Sequence, residues 1–298
     1  MNIEGRRAIL KSDPRTDLLD EAAVARLQSR RPAGLGNRLV HALLLVAVPL
    51  LILAAASLLA QLLVRVGADI RIGLDPFLDE RYRPRLSLYE LAARGVAADL
   101  VRQTLIVLFV LGLALVLDGA AWRRRLGLRS PAEPRAPIPR AWSFWLLLLV
   151  WPVIHIAWVA GTAEALHVSF GQGVRLSPFL TQTLIAASFA YVVLLAPLAE
   201  ELLMRGEAYA RARAFMGPAG AIATTALLFC VLHVGVALDG AQQIQFDQAW
   251  YARPITLLPL AVTLGWLRWR TGRLWPCFLL HGWSNAALIT YLLWPILH

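Results

Sequence analysis

The chain has 298 residues, of which 58% are hydrophobic and only 16% are charged. Soluble domains are about 45–50% apolar and about 25% charged, so this composition is too apolar for a soluble core of ordinary size. The net charge of +10 comes from basic residues scattered between apolar runs, rather than from one basic stripe, which argues against binding to nucleic acid. We therefore expect an integral membrane protein whose partners include lipids and no nucleic acid.

Apolar runs long enough to cross a bilayer recur along the whole chain, and a helical span needs about 20 such residues. Strands are excluded as lipid-exposed elements because an open sheet edge would leave backbone groups without hydrogen bonds in hydrocarbon. The pattern predicts an all-α, polytopic membrane helix bundle with about seven transmembrane helices. The predicted spans are residues 39–64, 100–118, 142–166, 178–204, 219–238, 254–270 and 274–296.

Basic residues are concentrated in every second segment between these runs. Basic residues are enriched in cytoplasmic segments, so the alternation predicts a multi-pass protein with a cytoplasmic N-terminus. We expect it in the inner (plasma) membrane of a bacterium. The basic segments carry Arg6, Arg7, Lys11, Arg15, Arg26, Arg30, Arg31 and Arg38; Arg123, Arg124, Arg125, Arg129, Arg135 and Arg140; Arg205, Arg211 and Arg213; and Arg268, Arg270 and Arg273.

Charge and hydropathy divide the chain into three parts. Residues 1–38 form a polar, cytoplasmic N-terminal segment. Residues 39–140 hold two spans and a basic linker, which is rich in proline at 131–139 and is predicted to be a hinge. Residues 141–298 form a helical core, and most of the ionisable residues that fall inside predicted spans belong to this part.

Ionisable residues inside a span are costly and are functional candidates by default. Glu201 and Arg205 are four residues apart with the acid first, which is the favourable order for an ion pair along a helix. Glu200 is rotated by about 100° from Glu201, so it points elsewhere and is the better candidate for chemistry. Two other histidines, His41 and His155, are interpreted as internal polar contacts of the bundle.

The turn at 216–218 relates Glu200 to His233 in depth. Glu200 lies about 17 residues before this turn and His233 about 16 residues after it, so in an antiparallel helix pair both fall at one height. His281 and Asn285 are four residues apart and share one helix face. We expect Glu200 and His233 to face each other, with His281 near the same level.

Three motifs in this order resemble the CAAX-protease and bacteriocin-processing (CPBP) family of intramembrane glutamic endopeptidases. They are Glu200-Glu201-Leu-Leu-Met-Arg205, Phe229-Cys-Val-Leu-His233 and His281-Gly-Trp-Ser-Asn285. The resemblance covers about residues 177–290. It implies that residues 141–298 are a CPBP-like catalytic core and that the substrate is a peptide or protein, with or without a lipid modification.

The resemblance also implies a role for each motif residue. Glu200 would be the general base that activates a water molecule, with the help of His233. His281 and Asn285 would donate hydrogen bonds to the oxyanion of the tetrahedral intermediate. The supporting residues would be Glu201, Arg205 and Phe229. No cofactor and no metal are expected.

Two alternatives remain open at this point. A zinc-dependent membrane protease could use the same glutamates and histidines, although the His-Glu-x-x-His signature is absent from the sequence. A non-enzymatic membrane protein, either a proton-coupled carrier or a scaffold, could also contain buried Glu and His. Carriers often contain inverted repeats, and the sequence has no evident repeat.

Overall fold

The computed structural model describes residues 35–74, 88–129, 142–168, 182–234, 236–238, 244–246 and 251–297. Most of the predicted N-terminal segment, residues 1–34, and the predicted hinge at 131–139 lie outside the described residues. Those predictions are therefore not tested.

Helices make up nearly all of the described chain, and the prediction of a helical membrane bundle is confirmed. The first part holds α1 (Leu35–Leu74), α2 (Leu88–Asp118), a 3-10 turn (Gly119–Ala121) and α3 (Trp122–Arg125). The second part holds α4 (Trp142–Ala165), α5 (Gln182–Ala190), a π-helix (Tyr191–Leu195), α6 (Ala196–Glu201), a second π-helix (Leu202–Ala208), α7 (Tyr209–Phe215), α8 (Pro218–Leu232), α9 (Ala252–Thr271) and α10 (Trp275–Leu297).

A short β-hairpin follows α8, where the sequence predicted the end of a span and then a loop. Strands β1 (Val236–Leu238) and β2 (Ile244–Phe246) pair antiparallel, with Ala237 opposite Gln245. The predicted span at 219–238 therefore ends as a helix at Leu232. Val and Ile favour strands, and an apolar run of this kind does not distinguish a helix end from a short strand.

Among the described residues, four helical segments are long and apolar enough to cross a membrane. They are Leu39–Gly67, Ala93–Arg125, Trp142–Ala165 and Ala186–Phe215. Many of their large apolar side chains point outward and are exposed, as lipid-facing residues would be; Val116 and Leu149 are examples. The chain is an integral membrane protein, as its composition predicts.

Small residues lie where the helices pack together. Ala199, Ala226 and Ala261 are almost completely buried at these contacts. In a bilayer, small side chains let helix backbones approach closely, and this gain in van der Waals contact replaces the hydrophobic driving force that soluble proteins use. The closest approaches therefore lie between α6, α8 and α9, which are the helices next to the candidate site.

Two tight turns set the heights of the helices around the site. Gly217 has an extended backbone conformation and Pro218 begins α8, where its missing N–H costs no helical hydrogen bond. Gly272 ends α9 with φ 65°, a left-handed conformation that glycine adopts without strain. Both turns lie at one end of the bundle, which we call the arginine-rich end because Arg125, Arg211 and Arg268 meet there.

The N-terminal helices pack directly on the segment that carries the two glutamates. Ile106 and Val110 of α2 belong to the same buried apolar cluster as Leu203 and Phe229. Leu126, just after α3, is fully buried in this cluster. The predicted boundary between two parts of the chain at residue 140 stays a prediction. The buried apolar cluster contains residues from both sides of that boundary.

Candidate active site

The two glutamates lie on α6, between the two π-helices. A π-helix places its hydrogen bonds five residues apart instead of four, so it inserts a local irregularity, and such irregularities are frequent at functional sites. Residues 182–215, which we call the glutamate helix, are helical throughout, with the π segments at Tyr191–Leu195 and Leu202–Ala208. The irregular turns change the direction of the side chains immediately before and after Glu200 and Glu201.

Glu200 meets two histidines from two other helices. Its Oε2 atom lies 3.7 Å from His233 Nε2 at the end of α8 and 3.7 Å from His281 Nε2 on α10. The side chains of Glu200 and His233 are 24% and 34% exposed, whereas that of His281 is 3% exposed. The structure therefore brings three of the predicted catalytic residues together, with the carboxylate accessible from one side, and the depth count for Glu200 and His233 agrees with it.

The hydrogen bonds of the two histidines fix which ring nitrogen carries hydrogen. His233 Nδ1 lies 2.7 Å from the carbonyl oxygen of Phe229, and His281 Nδ1 lies 2.9 Å from Glu201 Oε1. Both partners are acceptors, since Glu201 is ionised in its pair with Arg205, so both Nδ1 atoms donate. In a neutral ring Nε2 is then a proton acceptor, and both Nε2 atoms face Glu200.

Glu201 and Arg205 form a buried ion pair. Arg205 donates to Glu201 Oε1 at 3.0 Å and to the carbonyl oxygen of Ala261 at 3.0 Å, and both side chains of the ion pair are fully buried. The guanidinium carbon also lies 4.7 Å from the centre of the Phe229 ring, whose other neighbours are the rings of His233 and His281. Phe229 thus separates the arginine from the two imidazoles and keeps them in place.

Asn285 makes its observed contact with the first π-helix. Its Nδ2 atom donates to the carbonyl oxygen of Val192 at 3.0 Å, and the neighbouring Gly282 also lies against this π-helix. A methyl group built on Gly282 would lie 2.5 Å from the carbonyl oxygen of Val193. Helix α10 therefore approaches the glutamate helix through a glycine and an asparagine.

Replacing Gly282 by alanine is expected to separate these two helices. The new methyl group would contact a backbone oxygen that cannot rotate away, and such overpacking costs about 1–3 kcal/mol. We expect a lower midpoint for thermal unfolding of the detergent-solubilised protein. Gly161→Ala is the matched control, since a methyl group there meets no atom within 4 Å. An unchanged midpoint for Gly282→Ala would contradict the close contact.

A second buried charge cluster lies at the arginine-rich end, and the sequence reasoning missed it. Glu207 is fully buried and pairs with Arg125, at 2.9 Å, and with Arg211; Arg125 also pairs with Asp118. The four-residue spacing of Glu207 and Arg211 was a usable signal. The pair of Glu207 and Arg211 was not predicted, because arginines at this position also fit the enrichment of basic residues in cytoplasmic segments.

Arg268 is a further buried arginine that the sequence reasoning assigned only to a basic loop. It donates to the carbonyl oxygens of Arg205, at 2.9 Å, and of Arg125, at 3.0 Å, and also to that of Gly272. Its guanidinium occupies the space beside Gly127, where φ is 78° and any side chain would collide with it. One side chain thus joins α9 to the glutamate helix and to the segment after α2.

Over the described residues, no group of three or more His, Cys, Asp and Glu side chains has the arrangement of a metal site. The two cysteines, Cys230 and Cys277, are buried and do not form a disulfide. The polar atoms that meet at the site are therefore one carboxylate oxygen and two imidazole nitrogens, which can accept, hold and release protons.

Comparison with known proteins agrees with this arrangement. Residues 181–287 match the family model described as type II CAAX prenyl endopeptidase Rce1-like. No curated protein and no solved structure matches the chain. The matched segment begins just before α5, ends within α10, and includes all three motifs that suggested the resemblance. Residues 181–287 are therefore similar to the Rce1-like type II CAAX prenyl endopeptidases, which confirms the resemblance drawn from the three motifs.

Proposed function

We propose that this protein is an intramembrane endopeptidase of the glutamic type, in which Glu200 and His233 activate a water molecule. The observation that carries the proposal is the convergence of Glu200 with His233 and His281, at 3.7 Å each, on helices within the bundle. A gap of this width between Oε2 and each Nε2 is longer than a hydrogen bond, so the three atoms can share one bound water.

Glu200 is the general base of the proposed reaction. As the water oxygen attacks the peptide carbonyl carbon, Glu200 accepts one of the water protons. The tetrahedral intermediate then collapses, the carbon–nitrogen bond breaks, and the leaving amine nitrogen takes a proton. His233 is placed to relay that proton, because its Nε2 faces Glu200 and its Nδ1 is occupied by the Phe229 carbonyl.

His281 and Asn285 support the negative charge of the intermediate. His281 Nε2 can donate a hydrogen bond to the oxyanion when the ring is protonated, while its Nδ1 donates to Glu201 on the other side. An asparagine amide has two hydrogens, so the bond to Val192 leaves one for the substrate oxygen. Both donors sit on α10, one helical turn apart, and act together on the oxyanion.

We further propose that the substrate is a peptide or protein segment that reaches the site from the cytoplasm. Glu200 lies about 10 Å along its helix from Glu207, whose partners Arg125 and Arg211 mark the arginine-rich end. Basic residues are concentrated on the cytoplasmic side of membrane proteins, so this end faces the cytoplasm. A prenylated cysteine in the substrate is the form that the family's description suggests.

The test of the proposed function compares peptide termini in membranes that contain either the wild type or the Glu200→Gln variant. We expect a set of new termini that depends on the wild-type carboxylate and is absent in the variant. Glu164→Gln is the matched control, because it makes the same chemical change on an exposed residue at the end of the bundle opposite the arginine-rich end. Identical termini with all three proteins would favour the carrier or scaffold.

A purified assay then distinguishes the remaining alternatives. The probes are a quenched-fluorescent peptide that ends in S-farnesylcysteine and three further residues, and the same peptide without the farnesyl group. Cleavage that persists after EDTA and 1,10-phenanthroline treatment is expected for a glutamic peptidase. Loss of cleavage that is restored by zinc would instead support the zinc-dependent protease.

A further inference from the structure

His155 belongs to a buried polar chain that the proposed chemistry does not use. It lies on α4 and is only 2% exposed, and its Nδ1 atom is 2.6 Å from the hydroxyl oxygen of Ser284 on α10. The same hydroxyl oxygen lies 3.3 Å from the indole nitrogen of Trp151, one turn before His155. Three polar side chains thus meet in an apolar part of the bundle, where an isolated polar group would be costly.

The donors and acceptors of this chain can be assigned. An indole N–H only donates, so the Ser284 oxygen accepts from Trp151. The serine hydrogen is then free to be donated to His155 Nδ1. With Nδ1 as the acceptor, a neutral His155 ring carries its hydrogen on Nε2, and the ring faces the backbone of Thr256.

Ser284 is one helical turn beyond His281, and α10 makes polar contacts with two neighbouring helices. His281 bonds to Glu201 of α6, Asn285 bonds to Val192 of the first π-helix, and Ser284 bonds to His155 of α4. The first two contacts are with the same continuous helix. The contacts with α4 come from a different direction and include a bond from the Trp283 indole to the Leu148 carbonyl oxygen at 2.9 Å, so they restrict rotation of α10 about its own axis.

A small rotation of α10 would matter at the site. Side-chain atoms at the edge of a helix lie about 5–6 Å from its axis, so a rotation of about 10° displaces them by roughly 1 Å. A displacement of about 1 Å in a catalytic group can reduce a rate about 100-fold. The position of His281 Nε2 relative to Glu200 is therefore sensitive to how firmly α10 is held.

We propose that His155 is a positioning residue: through Ser284 it sets the rotation of α10 and so holds His281 at its working distance from Glu200. This inference rests on the proposed function for its effect on rate. The contact between His155 and Ser284 exists independently of any activity, so the positioning itself can be measured separately.

The test compares His155→Leu with His155→Asn. Leucine fills the space but offers Ser284 no acceptor, whereas the side-chain oxygen of asparagine lies close to the position of Nδ1 and can accept the serine hydrogen. We expect His155→Leu to lower kcat for the quenched-fluorescent peptide about 10–100-fold, with KM within about twofold, and His155→Asn to recover most of kcat. A merely structural role would lower the amount of folded protein and leave kcat per folded molecule unchanged.

Ser284→Ala tests the same contact from the other side and is the smaller change. Ser284→Ala removes this contact and also the bond from Trp151, so it should lower kcat at least as much as His155→Leu does, and the double variant should be no worse than Ser284→Ala alone. If His155→Leu does not fold, Ser284→Ala alone decides the question. Equal kcat for Ser284→Ala and the wild type would overturn the proposal, as would a His155→Asn variant as slow as His155→Leu.

A spectroscopic measurement separates this proposal from the proposed function. In nanodiscs, the ring ¹³C–¹H resonance of His281, assigned with His281→Gln, should shift in Ser284→Ala and keep its position in His155→Asn. An unmoved resonance in Ser284→Ala would overturn the positioning role. The proposed function fails if neither the farnesylated nor the unmodified peptide is cleaved, or if Glu200→Gln cleaves as fast as the wild type. In either case the His281 resonance still shows whether His155 positions His281.

Discussion

Replacing Glu200 by glutamine should lower kcat for peptide cleavage by about 10²–10⁴-fold, the contribution usual for a general base. Glutamine has nearly the same shape as glutamate, but its amide cannot accept the proton that the attacking water must lose. The side chain is partly exposed to the site, so the substitution does not leave a buried charge unpaired. The measurement is the initial rate in proteoliposomes as a function of the concentration of the quenched-fluorescent peptide.

KM should change little, because Glu200 acts on the water and not on the peptide backbone. Glu164→Gln should have wild-type kcat, which controls for expression and for the loss of one negative charge. A Glu200→Gln variant that retains more than about a tenth of the wild-type kcat would be incompatible with Glu200 as the general base.

Replacing Arg205 by methionine should destabilise the protein more than any other single change in the site. Methionine fills a similar volume but leaves the fully buried carboxylate of Glu201 without its cation, and breaking a buried pair in this way costs about 3–5 kcal/mol. The contact with the Ala261 carbonyl and the stacking on Phe229 are lost as well. Since a typical protein is stable by only about 5–15 kcal/mol, little folded protein should accumulate in membranes.

The double variant Glu201→Gln/Arg205→Met identifies the cause of this loss. Removing the carboxylate removes the uncompensated charge, so the double variant should recover part of the folded yield and of the unfolding midpoint. Both are measured by fluorescence-detected chromatography of a solubilised fusion after heating. A double variant less stable than Arg205→Met alone would show that the loss has some cause other than the unpaired charge.

The polar motifs were predictable from the sequence because spacing along a helix determines which residues share a face. Glu200 and His233 could be placed at one level by counting residues from the turn at 216–218, and the structure brings their side chains together with that of His281. The Glu201–Arg205 pair follows from the same rule. The intervening helices needed only to be antiparallel for these expectations to hold.

Other features depend on contacts that no local pattern encodes. The two π-helices were not predicted, because the sequence analysis assumed a regular 3.6-residue period along the glutamate helix. The contact of Asn285 with Val192 depends on the first of these irregular turns. The buried position of Arg268 also went unpredicted, because three backbone carbonyls satisfy it and backbone acceptors leave no trace in the sequence.

Arg268 also has a consequence for the order in which the protein is made. The two main-chain oxygens that it joins belong to Arg125 and Arg205, which precede it in the chain by 143 and 63 residues. The last residue of α3 and the middle of the glutamate helix are therefore synthesised before the guanidinium that joins them. The arginine-rich end is completed only when α9 has been made, and the site also needs His281, which lies on the later helix α10.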